Sequence, residues 1–194
     1  MAPFLLIGLG NPGASYAGNR HNAGFMVIDQ IINDYNLSRP SKKFGGVLSE
    51  GSIGGSKVFA FCPMGYMNTS GSPANEVARF YKISPAQIIV VHDELDLPLG
   101  KLKVKRGGGN GGHNGLRSMD AHVGVEYVRV RFGIGHPGDK HLVSDYVLSD
   151  FSKDEWPVVE QLVNEISKNL PLLLKGDEAG FMNKMTVNFS NKAT

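Results

Sequence analysis

The spacing of apolar residues predicts strands that recur along the chain. Two short apolar runs are typical of buried strands, and two further segments alternate between apolar and polar positions as half-buried strands do. Apolar stretches interrupted by pairs of glycines predict a β-hairpin. The predicted strands are residues 4–9, the hairpin of residues 43–61, and residues 88–91, 101–105 and 127–134.

Helices are predicted between these strands. Ser72 and Pro73 are typical of the start of a helix, residues 152–155 form a capping box, and Gly176 is a stop signal. Pro171 is expected to kink the long helix or to end it early. The predicted helices are residues 23–35, 72–81, 113–122, 152–174 and 178–187, and residues 190–194 form a polar tail.

Interleaved strands and helices indicate an α/β fold, and we predict a three-layer sandwich in which helices flank a mixed, twisted sheet. A chain of 194 residues fits one domain, so residues 1–194 are interpreted as a single domain. The first apolar run lacks a basic segment before it and is too short for a signal peptide or a membrane span. We therefore expect a cytoplasmic protein that does not associate with membranes.

Charge is unevenly distributed, although the net charge is only +2. Residues 101–131 carry seven basic and two acidic side chains, whereas residues 145–178 carry eight acidic and three basic ones. The basic segment is either a surface for a polyanion or a solvated charged face. Strict alternation over residues 101–105 places its lysines on one face of a strand.

Polar side chains follow two of the predicted strands. His21 comes after the first strand, at the start of a helix, and Asp93 follows residues 88–91. Ligands of α/β sheets bind at the carboxyl ends of strands, so these two side chains are expected to converge. An aspartate that binds one imidazole nitrogen leaves the other nitrogen free to act as a base. A metal site including His92 and His113 is the alternative, but the spacing matches no common ligand set.

Glycine is abundant, with 25 residues, and clusters at two loops. Residues 8–13 match G-x-G-x-x-G, but Pro12 interrupts the place where a dinucleotide-binding helix would begin. Residues 107–115 contain six glycines and resemble no P-loop. No G-x-S-x-G serine elbow occurs, and the one cysteine, Cys62, is interpreted as structural because no catalytic partner is near it in sequence.

Five segments, in this order, resemble the bacterial-type peptidyl-tRNA hydrolase family. They cover about residues 4–150, and the chain length also fits the family. The segments are residues 8–13 with Tyr16 and residues 20–24; residues 66–68 with Ser70 and Gly71; residues 92–98; residues 107–116; and residues 131–138.

The resemblance implies a monomeric, cofactor-free and metal-free esterase without an obligate protein partner. Such an enzyme cleaves the ester between a peptide and the 3′-terminal ribose of tRNA. It implies that His21 is the base that activates water and that Asp93 orients it. The implied substrate-binding residues are Asn11, Tyr16, Met67, Asn68, His113 and Asn114, and the implied tRNA phosphate-binding residues are Lys103, Lys105 and Arg131.

The sequence departs from the family pattern at two places. Residues 62–65 read Cys-Pro-Met-Gly where the family usually carries Lys-Pro-x-Thr, and Asn19 stands where threonine is usual. A non-catalytic RNA-binding relative and a nucleotide-dependent oxidoreductase are the rival interpretations. The first predicts loss of His21 or Asp93, and both are present.

Overall fold

Strands and helices interleave along the computed structural model, which describes the backbone of residues 1–190 and the side chains of residues 1–185. The predicted tail of residues 190–194 lies outside the described side chains. The strands are β1 (Phe4–Gly8), β2 (Ser41–Lys43), β3 (Gly46–Ile53), β4 (Ser56–Pro63), β5 (Ile88–Glu94), β6 (Leu102–Arg106) and β7 (Val128–Gly133). The helices are α1 (Ala23–Asp34), α2 (Gly71–Phe80), α3 (Asn114–Val123), α4 (Val143–Val147), α5 (Trp156–Leu174) and α6 (Glu178–Ser190).

The strands form one mixed sheet in the order β2-β3-β4-β1-β5-β7-β6. The central strands β4, β1, β5 and β7 run parallel to one another, and antiparallel pairs lie at both edges. The mixed sheet of the sequence prediction is therefore confirmed. Because the central strands are parallel, their carboxyl ends lie at the same edge of the sheet, where α/β proteins bind ligands.

Helices cover both faces of the sheet. Along β1, Leu6 packs into a core shared with α1, α5 and α6, whereas Leu5 and Ile7 pack into a second core shared with α2 and α3. This alternation between two apolar cores is what a strand buried on both faces requires. The three-layer α/β sandwich predicted from the sequence is confirmed.

The capping box predicted ahead of the long helix is present, although α5 itself begins at Trp156, four residues later than predicted. The Ser152 backbone N–H donates to Glu155 Oε2 over 2.7 Å, and the Glu155 N–H donates to Ser152 Oγ over 3.2 Å, which is a reciprocal capping box. Pro171 lies inside the helix and does not end it early, since α5 continues to Leu174.

The predicted start of α2 is wrong by one to two residues. The helix begins at Gly71, so Ser72 and Pro73 lie in its first turn and Ser72 is not the N-cap. A tertiary contact takes the place of that cap, because the Gly71 N–H donates to Ser118 Oγ of α3 over 2.9 Å. A capping partner from another helix cannot be predicted from the local sequence.

Two short elements have no counterpart in the sequence prediction. They are β2, at one edge of the sheet, and α4 with the 3-10 turn Lys140–Leu142 before it. Both are too short for a periodic pattern to be recognised. Among the helices of the described part of the chain, none combines the length and the apolarity that crossing a bilayer would require.

The G-x-G-x-x-G segment packs closely against α1, since a Cβ on Gly8 would collide with the Gly24 carbonyl oxygen and one on Gly10 would lie 2.7 Å from Phe25 Cγ. The only helical turns in residues 9–22, after β1, are the 3-10 turns Ala14–Tyr16 and Arg20–Asn22, and α1 begins at Ala23. A Cβ on Gly24 would collide with the Val91 carbonyl oxygen and would lie 2.5 Å from the Leu9 nitrogen. The first turn of α1 thus touches the backbones of the two central strands, which fixes the adjacent His21.

We expect Gly24→Ala to destabilise the protein by roughly 1–3 kcal/mol or more, because the contacted backbone atoms of the central strands cannot give way. The better helix propensity of alanine is worth at most about 1 kcal/mol in a helix interior and less in a first turn. Urea unfolding measures the difference. Gly109→Ala is the matched control, since a Cβ there meets nothing within 4 Å and its φ is not positive. Equal midpoints for the two variants would contradict this account of α1.

Candidate active site

One cavity of about 650 Å³ opens at the carboxyl edge of the central strands. Segments that follow β1, β4 and β5 line it, together with the N-terminus of α3 and residues 136–148. Among the predicted site residues, those that line this cavity are Asn11, His21, Met67, Asn68, Asp93, His113 and Asn114. The convergence that the strand-end argument predicts for His21 and Asp93 is confirmed.

His21 and Asp93 form a buried pair. His21 lies in the 3-10 turn Arg20–Asn22, and its Nδ1 is 2.8 Å from Asp93 Oδ2. Burial alone would lower the pKa of His21, but the charge and the hydrogen bond of Asp93 outweigh it and raise that pKa above its usual value. Nε2 of His21 has no hydrogen-bond partner among the described residues, and it belongs to a side chain that lines the cavity. This nitrogen is therefore available to a water molecule.

Asp93 is ionised and held at both oxygens. Its Oδ1 is 2.7 Å from His113 Nε2, and its Oδ2 binds His21. Burial would raise the pKa of Asp93, but the two imidazole rings hold it far below its usual range. The carboxylate cannot rotate without breaking one of these two bonds.

The same three groups have the composition of a metal site. The candidate ligand atoms of His21, Asp93 and His113 all lie within 4.8 Å of one another. Hydrogen bonds account for this proximity, because each imidazole takes one carboxylate oxygen at 2.7–2.8 Å. His92, proposed as a further ligand, is buried with its Nδ1 on the Asp93 carbonyl oxygen. We assign no metal to the cluster.

Asn11 is the most rigidly held of the predicted substrate-binding asparagines. Asn22 binds both the N–H and the C=O of Asn11 at 2.9 Å, and Asn11 Oδ1 accepts from the Met67 N–H at 2.7 Å. Its side-chain oxygen is thereby occupied and its Nδ2 donors have no partner among the described residues. Asn68 and Asn114 are exposed at the cavity wall.

Tyr16 is the predicted site residue that the cavity does not include. It is half-buried in the 3-10 turn Ala14–Tyr16 and is not among the residues that line the cavity, so its role in substrate binding stays a prediction.

Lys103, Lys105 and Arg131 lie on one face of the sheet. Lys103 pairs with Arg131 and Lys105 with Arg129 across β6 and β7, so all of them point to the same side. Both lysines are exposed. Arg131 Nε contacts Glu94 Oε2 at 3.1 Å, which leaves its two terminal nitrogens without a partner among the described residues.

Arg129 differs from these neighbours because it is buried. It donates to the carbonyl oxygens of Gly108 and Gly109 at 2.9 and 2.6 Å, and it pairs with Asp120 at 3.0 Å. The glycine-rich loop is thus anchored to β7 and is not a flexible linker. The sequence places Arg129 among the basic residues of the strand, but burial separates its role from that of Arg131.

Residues 136–148 form a wall of the cavity, and the sequence analysis singled out only the first three of these residues. Arg20, next to His21, ties the end of this wall in place through contacts with Ser149 Oγ at 2.7 Å, the Asp150 carbonyl oxygen at 2.6 Å and Glu155 at 2.7 Å. The wall contributes His136, Lys140, Val143, Ser144, Val147 and Leu148 to the cavity. The sequence signals for it are His136, which belongs to the resembling segment of residues 131–138, and the position of Arg20 beside the candidate base.

Known proteins of one family match this chain over nearly its whole length. The sequence profile described as Peptidyl-tRNA hydrolase matches residues 5–193. The chain belongs to the peptidyl-tRNA hydrolase family. A peptidyl-tRNA hydrolase of Methylocella silvestris is 54% identical over 93% of this chain and 92% of its own length. One of Bartonella quintana is 50% identical over 97% of this chain and 98% of its own length.

A solved structure in the family has the same fold. The crystal structure of peptidyl-tRNA hydrolase from Acinetobacter baumannii superimposes with a TM-score of 0.90 at 39% identity, covering 95% of this chain and 94% of that one. The fold inferred from the resemblance is therefore confirmed by comparison with an experimental member of the family.

The departures from the family pattern lie outside the cavity wall or at its rim. Cys62 is buried in the core shared with α1, and burial, together with the neighbouring Asp29, raises the pKa of its thiol well above the usual value. A thiol in that environment is a poor nucleophile, as the structural interpretation requires. Asn19 donates to Asp150 Oδ1 over 2.6 Å and so supports the anchor of residues 136–148.

Proposed function

We propose that this protein hydrolyses the ester between a peptide, or an N-blocked aminoacyl group, and the 3′-terminal ribose of tRNA. The observation that carries this proposal is the His21–Asp93 pair at the wall of the cavity, within a chain of the peptidyl-tRNA hydrolase family. Recycling of tRNA from prematurely released peptidyl-tRNA is the cellular role that follows. We propose that the enzyme acts as a monomer in the cytoplasm, where translation supplies its substrate.

In the proposed mechanism, His21 Nε2 accepts a proton from water as the water oxygen attacks the ester carbonyl carbon. Asp93 stabilises the imidazolium that forms and keeps Nε2 directed at the water. The tetrahedral intermediate then expels the ribose 3′ oxygen, which takes the proton back from the imidazolium. An ester has a better leaving group than an amide, so a single histidine base suffices.

The remaining polar residues of the cavity are proposed to hold the substrate. Asn11 offers side-chain N–H donors from a rigid position, because its oxygen is fixed on the Met67 N–H. Asn68 and Asn114 stand exposed on the wall and present carboxamides to a peptide backbone or to ribose hydroxyls. His113 and Met67 complete the wall near His21, and the proposed chemistry uses no cofactor.

Hydrolysis of an N-blocked aminoacyl-tRNA tests the proposed activity. Purified protein is expected to release deacylated tRNA that can be charged again, because only the ester is cleaved. Parallel incubation with a free aminoacyl-tRNA tests the requirement for a blocked amine. If no deacylated tRNA forms above the spontaneous rate, the proposed function is refuted.

The exposed face formed by Lys103, Lys105 and Arg131 is proposed to bind tRNA phosphates. We expect Lys105→Ala and Arg131→Ala each to weaken tRNA binding and to flatten the plot of log K against log salt by up to about one unit per lost phosphate contact. Binding of deacylated tRNA at several salt concentrations measures both effects. Lys42→Ala is the matched control, since Lys42 is exposed on β2 at the opposite edge of the sheet. An unchanged slope in both variants would mean that the basic face is only solvated.

A further inference from the structure

His113 uses both of its ring nitrogens for fixed partners. It is the N-cap of α3, where its Nδ1 accepts the backbone N–H groups of Gly115 at 3.1 Å and Leu116 at 3.2 Å. Its Nε2 lies 2.7 Å from Asp93 Oδ1. The ring thus connects the N-terminus of a helix to the carboxylate that holds the candidate base.

This geometry assigns the protons on the ring. A backbone N–H can only donate, so the nitrogen that receives two of them carries no proton of its own. A neutral imidazole keeps one proton, which must then be on Nε2 and is donated to Asp93. A second proton on Nδ1 would face two N–H groups and remove the cap of α3. His113 is therefore held as the neutral Nε2–H tautomer.

We propose that His113 is a positioning residue whose tautomer is locked by α3, so that Asp93 presents one oxygen and only part of its charge to His21. This inference rests on the proposed role of His21 as the base. The N-terminus of α3 polarises the His113 ring through Nδ1 and strengthens its donation from Nε2. The side chain reaches the reaction only through Asp93 and His21.

Asp93 needs this second donor because it is buried, with 2% of its side chain exposed. Its Oδ2 binds His21, and without His113 its Oδ1 would be a buried, unpaired charge. Two donors also fix the plane of the carboxylate and therefore the direction of His21 Nε2. Oδ1 thus accepts from His113 and is fixed by it, whereas Oδ2 accepts from His21 and stabilises its charge.

Few titratable groups contact this arrangement in the described part of the chain. Asp93 of β5 and His113 at the start of α3 face His21, with the His21 and His113 rings 5.0 Å apart. His92 packs edge-on against His113 at 5.3 Å between ring centroids. Burial above all lowers the pKa of His92 to about 4, so it stays neutral near neutral pH. The charge that acts on His21 is therefore that of Asp93.

The ¹⁵N chemical shifts of the histidine rings test directly, and without any substrate, whether α3 fixes the tautomer of His113. Between pH 5 and pH 8 we expect His113 to keep an unprotonated Nδ1 and a protonated Nε2, while His21 gains its second proton as the pH falls. A proton on His113 Nδ1 anywhere in this range would overturn the proposal. This readout is independent of hydrolytic activity, so its outcome is separate from success or failure of the proposed function.

Two substitutions test the consequence for catalysis. His113→Asn keeps a good N-cap but is too short to donate to Asp93, whereas His113→Gln can reach Asp93 with an N–H. In His113→Asn the full charge of Asp93 acts on His21 and raises the pKa of His21. The acid limb of the pH profile, where kcat/KM falls as His21 is protonated, therefore moves to higher pH. At the acid end the rate relative to the plateau falls about threefold below that of the native protein. His113→Gln is expected to restore the limb towards its native position.

The control is the same change at the other end of the same helix. His122 is exposed in the last turn of α3, and His122→Asn is expected to leave the pH profile unchanged. Thermal unfolding of each variant separates loss of the helix cap from loss of the donor. An acid limb that stays in place or moves to lower pH in a folded His113→Asn variant would refute the proposal.

Discussion

Replacing His21 by alanine is expected to lower kcat for an N-blocked aminoacyl-tRNA by roughly 10²–10⁴-fold, the usual contribution of a general base. Binding of tRNA should stay close to native, because the proposed phosphate contacts lie on β6 and β7 and do not line the cavity that holds His21. An effect on kcat with little change in binding is the signature of an interaction made in the transition state. Single-turnover hydrolysis together with direct tRNA binding measures the two quantities.

His141→Ala is the matched control for this variant. His141 is an exposed histidine in the 3-10 turn Lys140–Leu142, and it does not line the cavity. Its replacement should leave the rate and the binding unchanged. Near-native turnover by His21→Ala would exclude His21 as the base, and the proposed mechanism would then be wrong at its first step.

Asp93→Asn should have the second largest effect, a fall in kcat/KM at the plateau of roughly 10²–10⁴-fold. An amide in place of the carboxylate cannot stabilise the imidazolium of His21, and it can hold the ring in the wrong tautomer. The acid limb of the pH profile of kcat/KM should also move to lower pH. Asp93 raises the pKa of His21 against the opposing effect of burial, so removing its charge leaves burial to lower that pKa.

The direction of this shift separates an electrostatic role of Asp93 from a purely structural one. A structural loss would lower the rate at every pH and leave the limb in place. The pH dependence of kcat/KM for Asp93→Asn is compared with that of Asp154→Asn, an exposed aspartate ahead of α5. Movement of the limb to higher pH in Asp93→Asn would contradict the proposed coupling.

The layers of the fold could be predicted because they depend on local apolar patterns. Strand β1 and the first four residues of β5 are continuous apolar runs, and Phe25, Ile28, Ile31 and Ile32 repeat at helical spacing in α1. The start of α2 could not be predicted, because Ser118 of another helix supplies its cap. The short segments β2 and α4 could not be predicted either, because they are too short to show a periodic pattern of apolar residues.

The pairing of His21 with Asp93 was predictable from topology, because β1 and β5 end at the same edge of a parallel sheet. His21 follows β1, and Asp93 lies in the last residues of β5, which extends three residues beyond the predicted strand. The role of His113 was not predictable, because its cap on α3 and its bond to Asp93 appear only in three dimensions. Arg129 illustrates the same limit, as its alternation with Arg131 in sequence conceals that it is buried.

The abundance of glycine is explained in part by two segments of the structure. Gly24 allows the first turn of α1 to touch the central strands, and the loop of residues 107–112 is anchored by Arg129. The composition alone was compatible with flexible loops. Close packing holds Gly24 in α1, and the loop that Arg129 anchors contributes Gly111 and Gly112 to the cavity wall.

Hydrolysis of an N-blocked aminoacyl-tRNA in H₂¹⁸O, with native protein and His21→Ala side by side, tests the central claim most directly. Attack of His21-activated water on the carbonyl carbon predicts one ¹⁸O in the released N-blocked amino acid and none in the 3′-terminal ribose. It also predicts release that is slower by roughly 10²-fold or more in the variant. Label in the ribose, or equal release by the two proteins, would contradict it.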